Sequence, residues 1–177
     1  MRIKIIGAVS LLLSLFIVSI PAATAAPLCD GKVPVNSCAG LTSDGAPYAM
    51  QVPANFNGTV LIYSHGYRPN VDVIQGIPGY GGYKVNNTPE TAPGQGSRDL
   101  TVTNYLLSKG SALAGSGFAR QGWNADSALA TNKELIATFK SKFPTTKKVM
   151  AWGQSLGGII TQLMQEKYPE LLNVSAP

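Results

Sequence analysis

The apolar positions of this chain change period several times, and each change marks an element. From Ile5 to Ile20 the run is almost unbroken, preceded by Arg2 and Lys4 and ended by Pro21. From Gly45 to Tyr67 the pattern is strand, turn, strand: Pro47–Val52, a turn at Asn57-Gly58, then Thr59-Val60-Leu61-Ile62-Tyr63. A β-rich run this continuous suits a central strand buried on both faces. Residues 68–98 are rich in glycine and proline and lack a helical period, which predicts a long loop. In a compact domain such a loop usually serves a site or is disordered, and it is expected here to be an insertion over whichever face carries the site.

Beyond Asp99 helix and strand alternate. Leu100–Ser108 reads as a helix, with Gly110 placed to cap its end. Ser111–Gly115 reads as a short strand. Ala128, Asn132, Leu135, Ile136, Phe139 and Phe143 recur at three- and four-residue steps, one apolar face apart from Asn132. This second helix starts at a candidate cap, Asn124, with Asp126 in its first turn and Lys140 and Lys142 in its last. Lys147–Gly153 is the next strand. Leu156, Ile159, Ile160, Leu163, Met164 and Tyr168 mark a third helix, ended by Pro169. Strands alternating with amphipathic helices predict an α/β fold, a mostly parallel sheet with right-handed crossovers and flanking helices.

The opening run bears on compartment. A charged start, a short apolar stretch and the small residues Ala23-Thr24-Ala25 form the layout of a secretory signal peptide cut near Ala25. The stretch falls short of the about 20 residues a membrane helix needs, although a retained anchor is the alternative. Residues 1–25 are thus expected to be removed on export to a periplasmic or extracellular space, with no membrane association afterwards. Residues 26–177 then make one domain. In an oxidising compartment Cys29 and Cys38 are expected to pair and pin the mature N-terminus.

Charge adds little. The net +5 falls to +3 once Arg2 and Lys4 leave, and the remaining basic residues are scattered. No basic stripe alternates with aromatics, so nucleic acid is not an expected partner. With one histidine and two early cysteines, no metal site is expected. Gly115-Ser116-Gly117 followed by Gly122 misses the dinucleotide spacing, and no cofactor is expected. Trp123 and Trp152 read as packing residues rather than sugar platforms.

The sharpest chemical signal is Gly153-Gln154-Ser155-Leu156-Gly157, a G-x-S-x-G between a predicted strand and a predicted helix, with Gly158 behind it. A serine held above a sheet on so tight a turn sits in strained backbone, and side chains two residues either side would collide. Ser155 would project its hydroxyl as a nucleophile. The Leu156 N–H at the helix start would face a developing oxyanion. The alternative is a close-packed strand-to-helix turn without chemistry. The second signal is Ser64-His65-Gly66-Tyr67 at the end of the buried strand. Here the backbone near Gly66 or Tyr67 would supply the other oxyanion donor, with His65 supporting the loop through hydrogen bonds. The rival reading makes His65 the general base for Ser155.

Residues 45–177 resemble the front half of a secreted bacterial-type α/β-hydrolase, of the broad kind related to prolyl oligopeptidase and the carboxylesterases. Gly58–Tyr67, Gly117–Trp123 and Ala151–Gly158 carry the resemblance. It implies a serine hydrolase cleaving an ester, amide or peptide bond in a small-molecule or peptide substrate, with nucleophile, acid and histidine in that order. The sequence departs from this order after Ser155. The acids there are Glu166 and Glu170, on or just past the following helix, and no histidine follows. Two readings stand: a serine hydrolase represented by its N-terminal part, or a truncated, non-catalytic fragment or binding remnant. If the sheet follows the family's order, the strand before Ser155 is an unpaired edge and the domain is marginal.

Overall fold

The computed structural model describes residues 27–73, 76 and 81–177. The expected leader at 1–25 lies outside them, as does part of the loop at 68–98. The strands are β1 (Leu28–Cys29), β2 (Val35–Leu41), β3 (Pro47–Pro53), β4 (Thr59–Ser64), β5 (Ala112–Ser116), β6 (Lys148–Gly153) and β7 (Val174–Ala176). The helices are α1 (Thr101–Ser108), α2 (Ala125–Lys142) and α3 (Leu156–Lys167). One mixed sheet runs β1-β2-β3-β5-β4-β6-β7. Its first four strands are antiparallel neighbours, and β5, β4, β6 and β7 are parallel.

Alternation along the strands sorts side chains to two faces. Val60 and Ile62 of β4, Ala112 and Ala114 of β5, and Val149 and Ala151 of β6 pack with Leu135, Ile136 and Phe139 of α2 and Ile160 and Met164 of α3. Leu61, Leu113 and Trp152 point the other way, towards Leu106 and Leu107 of α1. Asn132, the odd polar member of the α2 stripe, is buried and donates from Nδ2 to Ser64 Oγ at 2.9 Å. It ties the second helix to the last residue of β4.

Two strands come unannounced by the sequence, and two expectations change. The antiparallel β1 and β2 carry no period that announces them, because β2 reads Val-Asn-Ser-Cys-Ala-Gly-Leu. They are held by register with β3 and by the Cys29–Cys38 disulfide, which joins directly opposed residues. The strand before Ser155 is not an edge, since β7 pairs with Met150, Ala151 and Trp152 of β6. Finally, Asn124 sits at the N-cap of α2 without a side-chain capping bond. No helix among the described residues is long and apolar enough to cross a membrane.

Candidate active site

Strands β4 and β6 run in parallel register from Thr59 opposite Lys148 to Ser64 opposite Gly153. Both chains therefore leave the sheet side by side at its carboxyl edge, where open parallel sheets place their sites. From β6 the chain reverses into α3 through only Gln154 and Ser155. Ser155 stands at the N-cap with φ 56° and ψ −127°. For a residue with a side chain, such backbone costs about 1–3 kcal/mol and persists only where its surroundings enforce it.

The surroundings here are backbone. A Cβ on Gly157 would overlap the Ser64 carbonyl oxygen and lie 2.8 Å from that of His65. One on Gly153 would lie 2.8 Å from Ser64 O and collide with the Gly157 carbonyl. The turn closes with Gly157 N–H donating to Gln154 O at 3.0 Å and Gly158 N–H to Ser155 O at 2.9 Å. Gly158 is less constrained, the nearest atom to its missing Cβ being Pro177 C at 3.3 Å. Ser155 and Gln154 are exposed. The Ser155 hydroxyl has no hydrogen-bond partner among the described residues.

Gly66 lies directly against this turn. A Cβ there would be 3.6 Å from Ser155 Cβ and 3.4 Å from Gln154 O. The N–H groups of Gly66, Tyr67 and Leu156 have no acceptor among the described residues. Gly66, Tyr67 and Gln154 together line a polar cleft of about 270 Å³ with Arg68 and Glu90. The structure thus gathers the elbow residues and the 65–67 loop that the sequence singles out.

His65 is 3% exposed, its ring 4.2 Å from that of Phe118. Because a carbonyl can only accept, the 2.7 Å contact with Gly66 O puts the proton on His65 Nδ1. Nε2 is buried without a partner. Burial first, then the Arg68 charge, pushes the His65 pKa down to about 4, against the pull of the Gly66 and Gly117 carbonyls. A neutral, walled-in imidazole with no bond to Ser155 is not arranged to take that hydroxyl's proton.

The sequence gives no sign of the clamp beside it. Arg68 reaches across the loop to Glu90 at 2.9 Å and donates to Thr88 O at 2.7 Å. Gly115 and Gly117 let this segment lie on the end of β5, since a Cβ on either would overlap the carbonyl of Glu90 or Asn87. A loop pressed on strand-end glycines is their role here.

No protein-family profile matches the sequence, and comparison with curated proteins finds no match. Solved structures do match. An esterase from Pyrococcus furiosus superposes with a TM-score of 0.54 at 14% identity, over 86% of this chain and 56% of that one. Brefeldin A esterase, a bacterial homologue of human hormone-sensitive lipase, gives 0.50 at 18% identity, over 88% and 42%. The chain has the α/β-hydrolase fold and spans about half the length of these neighbours.

Proposed function

We propose that residues 26–177 carry the nucleophile and oxyanion half of an exported serine hydrolase acting on an ester, amide or peptide bond. The observation that carries this reading is the Ser155 backbone, strained and exposed beside Gly66 at the carboxyl ends of β4 and β6. Arg98 also has a positive φ but lies in the left-handed helical region at ψ 19°, whereas the Ser155 ψ of −127° falls outside it. In this reading Ser155 Oγ adds to the substrate carbonyl carbon. Charge gathers on the carbonyl oxygen, where the Leu156 N–H at the start of α3 and an N–H of Gly66 or Tyr67 receive it. Collapse expels the alcohol or amine and leaves the acyl group on Ser155 for water to release.

The serine's proton needs a base, and loss of one triad member can cost on the order of 10⁶ in turnover. His65, buried and without a bond to Ser155, is not placed for that task, and the sequence holds no other histidine. Export is supported by the Cys29–Cys38 bridge, which persists in oxidising compartments. The leader at 1–25 and cleavage near Ala25 belong to the same proposal.

One observation favours the alternative, a non-catalytic remnant: among the described residues nothing is hydrogen-bonded to the Ser155 hydroxyl. A fluorophosphonate probe and a p-nitrophenyl ester separate the two. Slow labelling that maps to Ser155 and vanishes in Ser155→Ala supports the nucleophile. No labelling at Ser155, or labelling that survives Ser155→Ala, favours the remnant.

A further inference from the structure

Beside the elbow lies an aromatic pair that the proposed chemistry does not use. Trp123 is 74% exposed and Tyr67 46% exposed, with ring centroids 5.7 Å apart and planes 35° from parallel. This overturns the packing role expected for Trp123. Two large rings left in water at a site mark a contact surface. The loops that carry them are tied together. Gly122 N–H donates to Arg68 O at 2.9 Å, joining the two loops, and a Cβ on Gly122 would touch Asn70 at 3.4 Å.

In the same loops opens a second hollow of about 500 Å³, lined by Asn70, Asn87, Gln121, Asn124 and Arg120 together with the apolar Val85 and Ala119. Trp123 lies in the chain between Gln121 and Asn124, while Tyr67 follows Gly66, the neighbour of Ser155. The two loops that carry the pair thus line the hollow through Asn70, Gln121 and Asn124, and the cleft beside the elbow through Tyr67. Primary amides offer a donor and an acceptor in one plane, which matches adjacent hydroxyls that each give and take a hydrogen bond. A pyranose combines such hydroxyls with an apolar C–H face that lies flat on an indole or phenol ring. A fatty chain or a benzoyl group would use the rings and leave the amides of Asn70, Asn87 and Asn124 idle, the Gln121 amide nitrogen already donating to Gly117 O.

We propose that Tyr67, Trp123 and the amide-lined hollow bind a sugar ring, so that the substrate of Ser155 is an esterified saccharide. The substrate part rests on Ser155 being the nucleophile, whereas sugar binding by itself does not.

The test uses the whole chain as Ser155→Ala, with xylotriose, maltotriose and methyl β-glucopyranoside, and with benzoate as the ring-only control. Binding is read by saturation-transfer NMR and by tryptophan emission, which reports on Trp123 as the exposed one of two tryptophans. At least one saccharide is expected to bind at millimolar concentration or below, more tightly than benzoate. Trp123→Ala should weaken it about tenfold, and Asn124→Ala by several-fold. Trp123→Tyr keeps a flat face and should hold affinity within about threefold, which guards against misreading an unfolded Trp123→Ala. Absence of saccharide binding, binding indifferent to Trp123→Ala in a folded variant, or preference for benzoate would overturn the proposal. Sugar binding without probe labelling of Ser155 in the parent chain would leave the platform and remove the nucleophile. Labelling without sugar binding would do the reverse.

Discussion

The elbow makes a contrast that two alanine substitutions expose. At Gly157 a methyl group would overlap Ser64 O and approach Ser64 C to 2.7 Å and His65 O to 2.8 Å. All three are backbone atoms of the β4 strand end, which is locked in register with β6. Overpacking costs about 1–3 kcal/mol, and rigid neighbours put this site near the top of that range. At about 2–4 °C per kcal/mol for a domain of this size, Gly157→Ala should lower the melting temperature by about 6–12 °C. At Gly66 the nearest atoms to a new methyl would be 3.4 and 3.6 Å away, ordinary contact, and its φ is not positive. Gly66→Ala should therefore melt within about 1–2 °C of the parent. Its methyl nevertheless enters the space beside Ser155, so fluorophosphonate labelling should slow by about tenfold or more. Differential scanning fluorimetry and time-resolved labelling on the same preparations measure both. A Gly157→Ala protein that melts and labels like the parent, or a Gly66→Ala protein that is the less stable of the two, refutes the steric reasoning.

Ser155→Gly should be more stable than Ser155→Ala by about 1–2 kcal/mol, because glycine adopts φ 56° without strain and alanine does not; equal denaturation midpoints would show the strain is absent. His65 is held neutral with its pKa near 4 against an ordinary 6.5, so the unfolded chain binds more protons between those values. Stability is then complete above about pH 6.5 and falls towards pH 4, by on the order of 3 kcal/mol for this group. His65→Gln should flatten that part of a urea-midpoint profile, and an unchanged slope would remove the cause. Reduction of Cys29–Cys38 reopens a loop with a sequence separation of 9. By loop entropy this costs about 2.5–3 kcal/mol, read as a lower melting temperature in dithiothreitol that Cys29→Ala/Cys38→Ala reproduces.

What the sequence discloses follows the reach of each constraint. The parallel half is legible because buried strands and one-sided helices must show periods of two and 3.6 in their own residues, as Val60–Ile62 and Leu135–Phe139 do. The elbow is legible for a similar reason: its steric demand falls on Gly153 and Gly157, two positions either side of Ser155. By contrast, β2 exists because β3 pairs with all seven of its residues and a disulfide closes on it, and neither fact leaves a period. Even β7 needs only three residues, too few to show one, yet it removes the edge expected at β6.

The site's outer parts are silent for a further reason. Arg68 meets Glu90 across 22 sequence positions, and Trp123 lies in a loop with no repeat to say whether it faces core or water. The fold brings Trp123 to Tyr67, with a backbone bond from Gly122 to Arg68 joining their loops. The strained turn at Ser155 is thus written locally, while the aromatic pair beside it depends on loops meeting in space. A motif of five residues can mark a strained turn and still leave the loops around it unseen, because loops vary freely around a scaffold whose strand ends are fixed.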